Sequence, residues 1–185
     1  ADSVVGWGKQ EFMEENIKFF RKLVPAMEKT GANVLVENST NVCWAEKYFV
    51  NTGKEMREFV SLLDHPMFHV CWDTGHELCY NDAKDMLALY GKKLVATHLN
   101  DNMGQTGEKI TWYDDSHMLP FDGVADWEGI AARLKAAGYK GDLTFELNSK
   151  NKPERDTHRI YAGLDFEQYV ALAFERAKKF KELML

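Results

Sequence analysis

Four short apolar runs, each carrying near its end a side chain able to bind a metal, constrain this sequence more than any other feature. Asn33-Val34-Leu35-Val36-Glu37 ends in Glu37, and Phe68-His69-Val70-Cys71-Trp72-Asp73 ends in Asp73. Leu94-Val95-Ala96-Thr97-His98-Leu99 carries His98, and Asp142-Leu143-Thr144-Phe145-Glu146-Leu147 carries Glu146. Nearly continuous apolar runs of this length are strands covered on both faces. They predict strands at 33–37, 68–73, 94–99 and 142–147. Between them the apolar spacing turns helical. It predicts helices over 11–29, 54–63, 82–90, 127–137 and 165–183. Gly31, Gly91 and Gly138 act as stops, and His65-Pro66 as a break. Thr74-Gly75-His76 reads as a turn out of the second strand. Strands alternating with helices make an α/β fold with a parallel sheet and right-handed crossovers. No internal boundary shows, so residues 1–185 read as a single domain. The stretch from Asn100 to Ala125 is too long for an idle connection and reads as functional or mobile.

Ligands of parallel α/β sheets bind at the carboxyl ends of the strands. Glu37, Asp73, His98 and Glu146 therefore converge on one rim. Two glutamates, an aspartate and a histidine suit one divalent ion such as Mn²⁺, Zn²⁺ or Co²⁺, with Mg²⁺ also admissible. Each position has a plainer reading when taken alone. A strand-end carboxylate often caps the next helix, Asp73 before Thr-Gly suits an Asx turn, and His98 could be a core histidine. Four such residues in register argue for a site. The long loop adds Asp114-Asp115-Ser116-His117, whose Asp115 and His117 can bind a metal or a substrate hydroxyl. Trp112, Trp44 and Tyr48 lie near strand ends, where they could wall a pocket or simply pack. His65 and His69 read as structural, His158 as solvated, and Cys71 as a small core residue.

Charge and cysteine content narrow the class of function. The net charge is −6, from 29 acidic and 23 basic residues, which argues against a nucleic-acid partner. Cys43, Cys71 and Cys79 are an odd, sparse set, fitting a reducing cytoplasm better than a disulfide framework. No apolar run approaches ~18 residues, so no membrane span is expected. The start, Ala1-Asp2-Ser3-Val4-Val5, lacks the pattern of a signal peptide. It also lacks a methionine, which was either removed or lies upstream in a longer protein.

The ordered motifs resemble one known group. Val34-Leu35-Val36-Glu37-Asn38, Trp72-Asp73-Thr74-Gly75-His76 and Thr97-His98-Leu99-Asn100-Asp101 look like successive motifs of the xylose isomerase-like TIM barrels. Asp115-Ser-His117, Leu119-Pro120, Gly123, Asp126-Trp127, Gly138-Tyr139, Gly141 and Glu146 continue the match. The group includes sugar and sugar-phosphate isomerases and epimerases, inosose dehydratases and isomerases, and barrel-type apurinic endonucleases. The resemblance implies a (β/α)8 barrel with a divalent metal held by Glu37, Asp73, His98 and Glu146. It implies that Glu37 and Glu146 are the acid/base pair on opposite faces of a sugar or sugar-phosphate substrate. It implies a substrate contact for His76, and Asp115 and His117 join it as candidate substrate-binding residues. Chemically, a proton is removed beside a carbonyl and the resulting ene-diolate is stabilised by the ion. Return of the proton on the opposite face gives epimerisation; return to the neighbouring carbon gives isomerisation. The arginine that often follows the His98-type motif in ketose epimerases is replaced here by Asp101-Asn102-Met103-Gly104.

A complete barrel needs eight βα units and typically ~250 residues. This sequence carries about four units, matching the second half. The expectation is a fragment of a longer protein, a companion chain supplying the other half, or two copies closing one barrel. Two other functions compete with the isomerase or epimerase. A zinc phosphodiesterase of the apurinic endonuclease type would use His76, Asp115 and His117 as further zinc ligands. A half-barrel kept for interaction alone would be non-catalytic.

Overall fold

The computed structural model describes residues 6–39, 50–80, 86–104, 108 and 110–185. Three parallel strands, β1 (Val34–Glu37), β2 (Phe68–Asp73) and β3 (Leu94–His98), form a sheet in the order β1-β2-β3. The helices are α1 (Lys9–Arg21), α2 (Val24–Thr30), α3 (Gly53–Leu63), α4 (Thr74–Tyr80), α5 (Leu87–Tyr90), α6 (Trp127–Ala136) and α7 (Phe166–Met184). Short 3-10 turns lie at 91–93, 112–114 and 157–161.

The pleat divides the sheet into two faces. Val36, Phe68, Val70 and Trp72 pack outward with Phe12, Met27, Met56 and Phe59 in the main core. A smaller cluster of Leu119, Tyr161 and Tyr169 lies beneath the loops leading to α7. The inner face carries Leu35, His69, Cys71 and the strand-end ligands. One irregularity decides what that face presents. Val70 pairs with Leu94, but Cys71 pairs with Ala96, so the register shifts by one residue at Val95. An unbroken register would set Thr97 beside Asp73. The shift sets His98 there instead and turns it inward.

Three local expectations change, and a fourth, the helix over 82–90, is described only in part. The helix expected over 11–29 is two helices, because the ring of Pro25, in the first turn of α2, would meet the carbonyl of Arg21 in a continuous helix. Residues 74–76 form the first turn of α4, which Asp73 caps by accepting the His76 N–H at 2.7 Å. Within the helix expected over 82–90, α5 covers Leu87–Tyr90; residues 82–85 lie outside the described set. The strand expected over 142–147 is reduced to one parallel bridge, Leu99 to Phe145. Its bonds run from Leu99 N to Thr144 O at 2.8 Å and from Glu146 N to Leu99 O at 3.3 Å. The Thr97 hydroxyl takes up Asp142 O and Thr144 N, so a side chain stands where ladder bonds would be.

The long loop is tied down rather than slack. Asp101 and Met118 form an antiparallel bridge. The buried Asp101 carboxylate accepts from Trp127 Nε1 at 2.7 Å, Ala125 N at 3.0 Å and Asn102 N at 2.9 Å. Gly123 is required here, because a Cβ would collide with Asp101. Among the described residues, no helix is long and apolar enough to cross a membrane.

Candidate metal centre

Glu37, Asp73 and His98 close the three strands, and Glu146 follows the bridge to Leu99. One potential ligand atom from each lies within 4.8 Å of the others. The His98 Nδ1 is 3.1 Å from Glu37 Oε1 and 3.0 Å from Glu146 Oε2, so both carboxylates meet the same ring nitrogen. The side chains of Glu37 and Glu146 are 31% and 49% exposed, whereas Asp73 is fully buried.

Two asparagines position Asp73. Asn100 Nδ2 donates to Asp73 Oδ2 at 2.9 Å. The Asn38 side chain pairs with the Asp73 peptide, accepting from its N–H at 2.8 Å and donating to its C=O at 2.9 Å. Gly75 leaves room for Asn100, since a Cβ would run into that amide. Neither asparagine was singled out from the sequence. The available signal was their place, one residue beyond Glu37 and two beyond His98. Cys71 also faces the site. It is buried, as expected of a small core residue, and lies on the inner face, where burial pushes its thiol up.

The electrostatics follow from crowding acids and imidazoles into a half-buried rim. Burial pushes the Asp73 carboxyl up to about 6. Burial pulls His76 down, but Asp73, Asp115 and Glu37 outweigh it and raise His76 to about 10. Hydrogen bonds with Cys71, Glu146 and Glu37 raise His98, while the bond from His98 lowers Glu146. Carboxylates and an imidazole gathered this closely are able to hold a cation, and a metal entering such a site would release protons.

A second group adjoins the first. His76, Asp115 and His117 also bring one ligand atom each within 4.8 Å of one another. His117 Nε2 lies 2.9 Å and His76 Nε2 3.5 Å from Asp115 Oδ2. Burial would raise Asp115, yet His117 and His76 hold it well below the usual carboxylate range. His76 links the groups, with its Nδ1 3.4 Å from Glu37 Oε1. All seven site residues expected from the sequence thus lie on one rim.

Other expectations separate from the site. Trp112 is exposed and stacks on Lys152, 4.3 Å from the ring centroid. Trp44, Tyr48 and Cys43 lie outside the described residues. His158, expected in solvent, is buried, packs edge-on to Tyr161 and meets Thr157 Oγ1 through Nδ1 at 2.9 Å. Lys152 and Arg155, which carried no sequence signal, reach the rim to pair with Asp115 and Asp114 at 3.2 Å each.

Three parallel strands joined by helices, with carboxylates and histidines gathered at the strand ends, are the arrangement of α/β proteins, a class whose ligands bind at that rim. Residues 1–166 match the family described as xylose isomerase-like TIM barrel, and the chain belongs to that family. The y4fM protein of Sinorhizobium fredii is 36% identical over 115 residues, covering 58% of this chain and 34% of that protein. A D-psicose 3-epimerase from Clostridium cellulolyticum H10, crystallised with D-tagatose, superposes with a TM-score of 0.77 at 19% identity. That match covers all of this chain and 60% of the epimerase. The IOLI protein, whose crystal structure holds a zinc atom, gives a TM-score of 0.69 at 20% identity over 98% of this chain and 60% of its own. The chain therefore spans about a third of that curated relative and three fifths of these solved barrels.

Proposed function

We propose that this chain carries the metal-holding, proton-transferring rim of a divalent-metal-dependent sugar or sugar-phosphate isomerase or epimerase. The observation that carries this reading is the four-residue group, Glu37, Asp73, His98 and Glu146, with ligand atoms within 4.8 Å of one another. When bound, Mn²⁺, Zn²⁺, Co²⁺ or Mg²⁺ supplies the positive charge that stabilises negative charge developing on substrate oxygens. Asp73, buried and bonded on both oxygens, is suited to holding the ion and not to moving protons. Glu37 and Glu146 are the partly exposed carboxylates and come from opposite ends of the sheet. One takes a proton from the carbon beside the carbonyl and the other returns it. His76, Asp115 and His117 line the adjoining rim as contacts for substrate hydroxyls.

The fold shared with a D-psicose 3-epimerase and with the zinc-holding IOLI protein supports the reading. Exposed Leu35 on the sheet's inner face supports completion of the barrel by further polypeptide, from a longer chain, a companion chain or a second copy. The free thiols of Cys71 and Cys79 fit a cytoplasmic setting. A second reading, a zinc phosphodiesterase, has the His76-Asp115-His117 group in its favour, but the net charge of −6 opposes binding to a nucleic-acid backbone.

The test is solvent-deuterium incorporation into ketoses and ketose phosphates with Mn²⁺ or Co²⁺ supplied. Glu146→Gln keeps the shape and removes the base. It should slow incorporation by about 10²–10⁴-fold, the usual worth of a positioned acid or base. Incorporation unchanged by the substitution would refute the assignment.

A further inference from the structure

His76, Asp115 and His117, the group that the zinc phosphodiesterase reading would use, have much of what a zinc site needs. His76 Nδ1 donates to Asn38 O at 2.8 Å, and His117 Nδ1 to Glu146 O at 3.1 Å. Carbonyl oxygens only accept, so each ring keeps its proton on Nδ1 and turns Nε2 toward Asp115. Metal-ligating histidines are oriented in this way. One feature does not fit a second ion. The Lys152 Nζ lies 3.2 Å from Asp115 Oδ2, the same oxygen that both imidazoles approach. This ammonium is held in place. It also donates to Trp112 O at 3.3 Å and lies over the Trp112 ring, with its side chain 11% exposed. A divalent ion bonded to Oδ2 would sit within a few ångströms of a fixed positive charge in a poorly hydrated place, where repulsion is little screened.

We propose that Lys152 takes the place of a second cation beside Asp115, so that the centre holds one metal ion and the His76-Asp115-His117 group stays metal-free. The single ion rests on the reading given under Proposed function; the exclusion of a second does not. Lys152 thereby separates the isomerase and epimerase chemistry from that of multi-zinc hydrolysis, which the ligand residues alone would leave open.

The experiment is zinc titration of the full chain, followed by desalting and elemental mass spectrometry. Wild type should retain one zinc per chain. Lys152→Met, which removes the charge and keeps the length, should retain two. Lys152→Arg should stay at one, and adding His117→Gln to Lys152→Met should return the count to one. A wild-type chain that retains two zincs, one of them lost in His117→Gln, would overturn the proposal, and this arm holds even if Lys152→Met does not fold. So would a folded Lys152→Met that retains no more zinc than wild type. If the four-residue group binds nothing, the counts become zero for wild type and one for Lys152→Met. The earlier reading then fails while the role of Lys152 stands.

Discussion

Replacing Asn100 by alanine tests how the centre is held together. Asn100 is buried and donates through Nδ2 to Asp73 Oδ2 at 2.9 Å. Asp73 is itself buried, with its carboxyl pushed up to about 6. Above that value the lost bond is one to a carboxylate, worth about 1.5–3 kcal/mol; below it the bond is neutral and worth about 0.5–1.5 kcal/mol. The missing side chain also leaves a gap, but that cost is the same at both pH values and cancels in their difference. The substitution should therefore cost roughly 1 kcal/mol more near pH 8 than near pH 5, or about 2–4 °C of additional Tm loss for a chain of this size. The assay is thermal unfolding of metal-free wild type and Asn100→Ala followed by circular dichroism at both pH values. Equal losses at the two would refute the claim that Asn100 stabilises the ionised form of Asp73. The same variant should bind metal about 10–100-fold more weakly, the usual effect of removing a group that orients a ligand.

Two further outcomes follow from other contacts. His76 is raised to about 10 from an ordinary value of 6.5, so its contribution to stability is complete below about 6.5 and is lost as the pH climbs toward 10. Metal-free wild type should lose about 3–5 °C of Tm per pH unit more than His76→Gln within that window, and parallel curves would contradict the charge arrangement. Tyr161 Oη accepts from the buried Leu119 N at 3.0 Å and donates to Asp122 Oδ2 at 3.0 Å. Tyr161→Phe leaves that N–H unpaired, so Tm should fall by about 2–12 °C, whereas an unchanged Tm would show that water replaces the hydroxyl.

The alternation of strand and helix and the residues of the rim were legible because apolar runs and helical spacing are both local patterns. A short, nearly continuous apolar run marks Phe68–Asp73 and a helical period marks Lys54–Leu63, and a residue at a strand end is readable once the strand is. What was not legible depends on contacts between segments far apart in the chain. The one-residue shift that turns His98 inward is a property of the pairing of β2 with β3, invisible in either strand alone. The thinning of the strand over 142–147 arises from the Thr97 hydroxyl, 45 residues before Asp142. Lys152 meets Asp115 from 37 residues away, and nothing in its local sequence marks it. Pro25 was readable and decides the break between α1 and α2, yet the apolar spacing across it is continuous enough to mask it. His158 lies in a polar stretch but is covered by Tyr161, a contact that composition does not report.

The central claim, that Glu37, Asp73, His98 and Glu146 together hold one divalent ion, is tested most directly by metal content. The chain would be stripped with chelator, loaded with Mn²⁺, Co²⁺ or Zn²⁺, desalted and measured by elemental mass spectrometry. The account predicts one ion per chain, lost in both Asp73→Ala and His98→Ala. A folded chain that retains no metal after loading, or that keeps its ion in both variants, would contradict it.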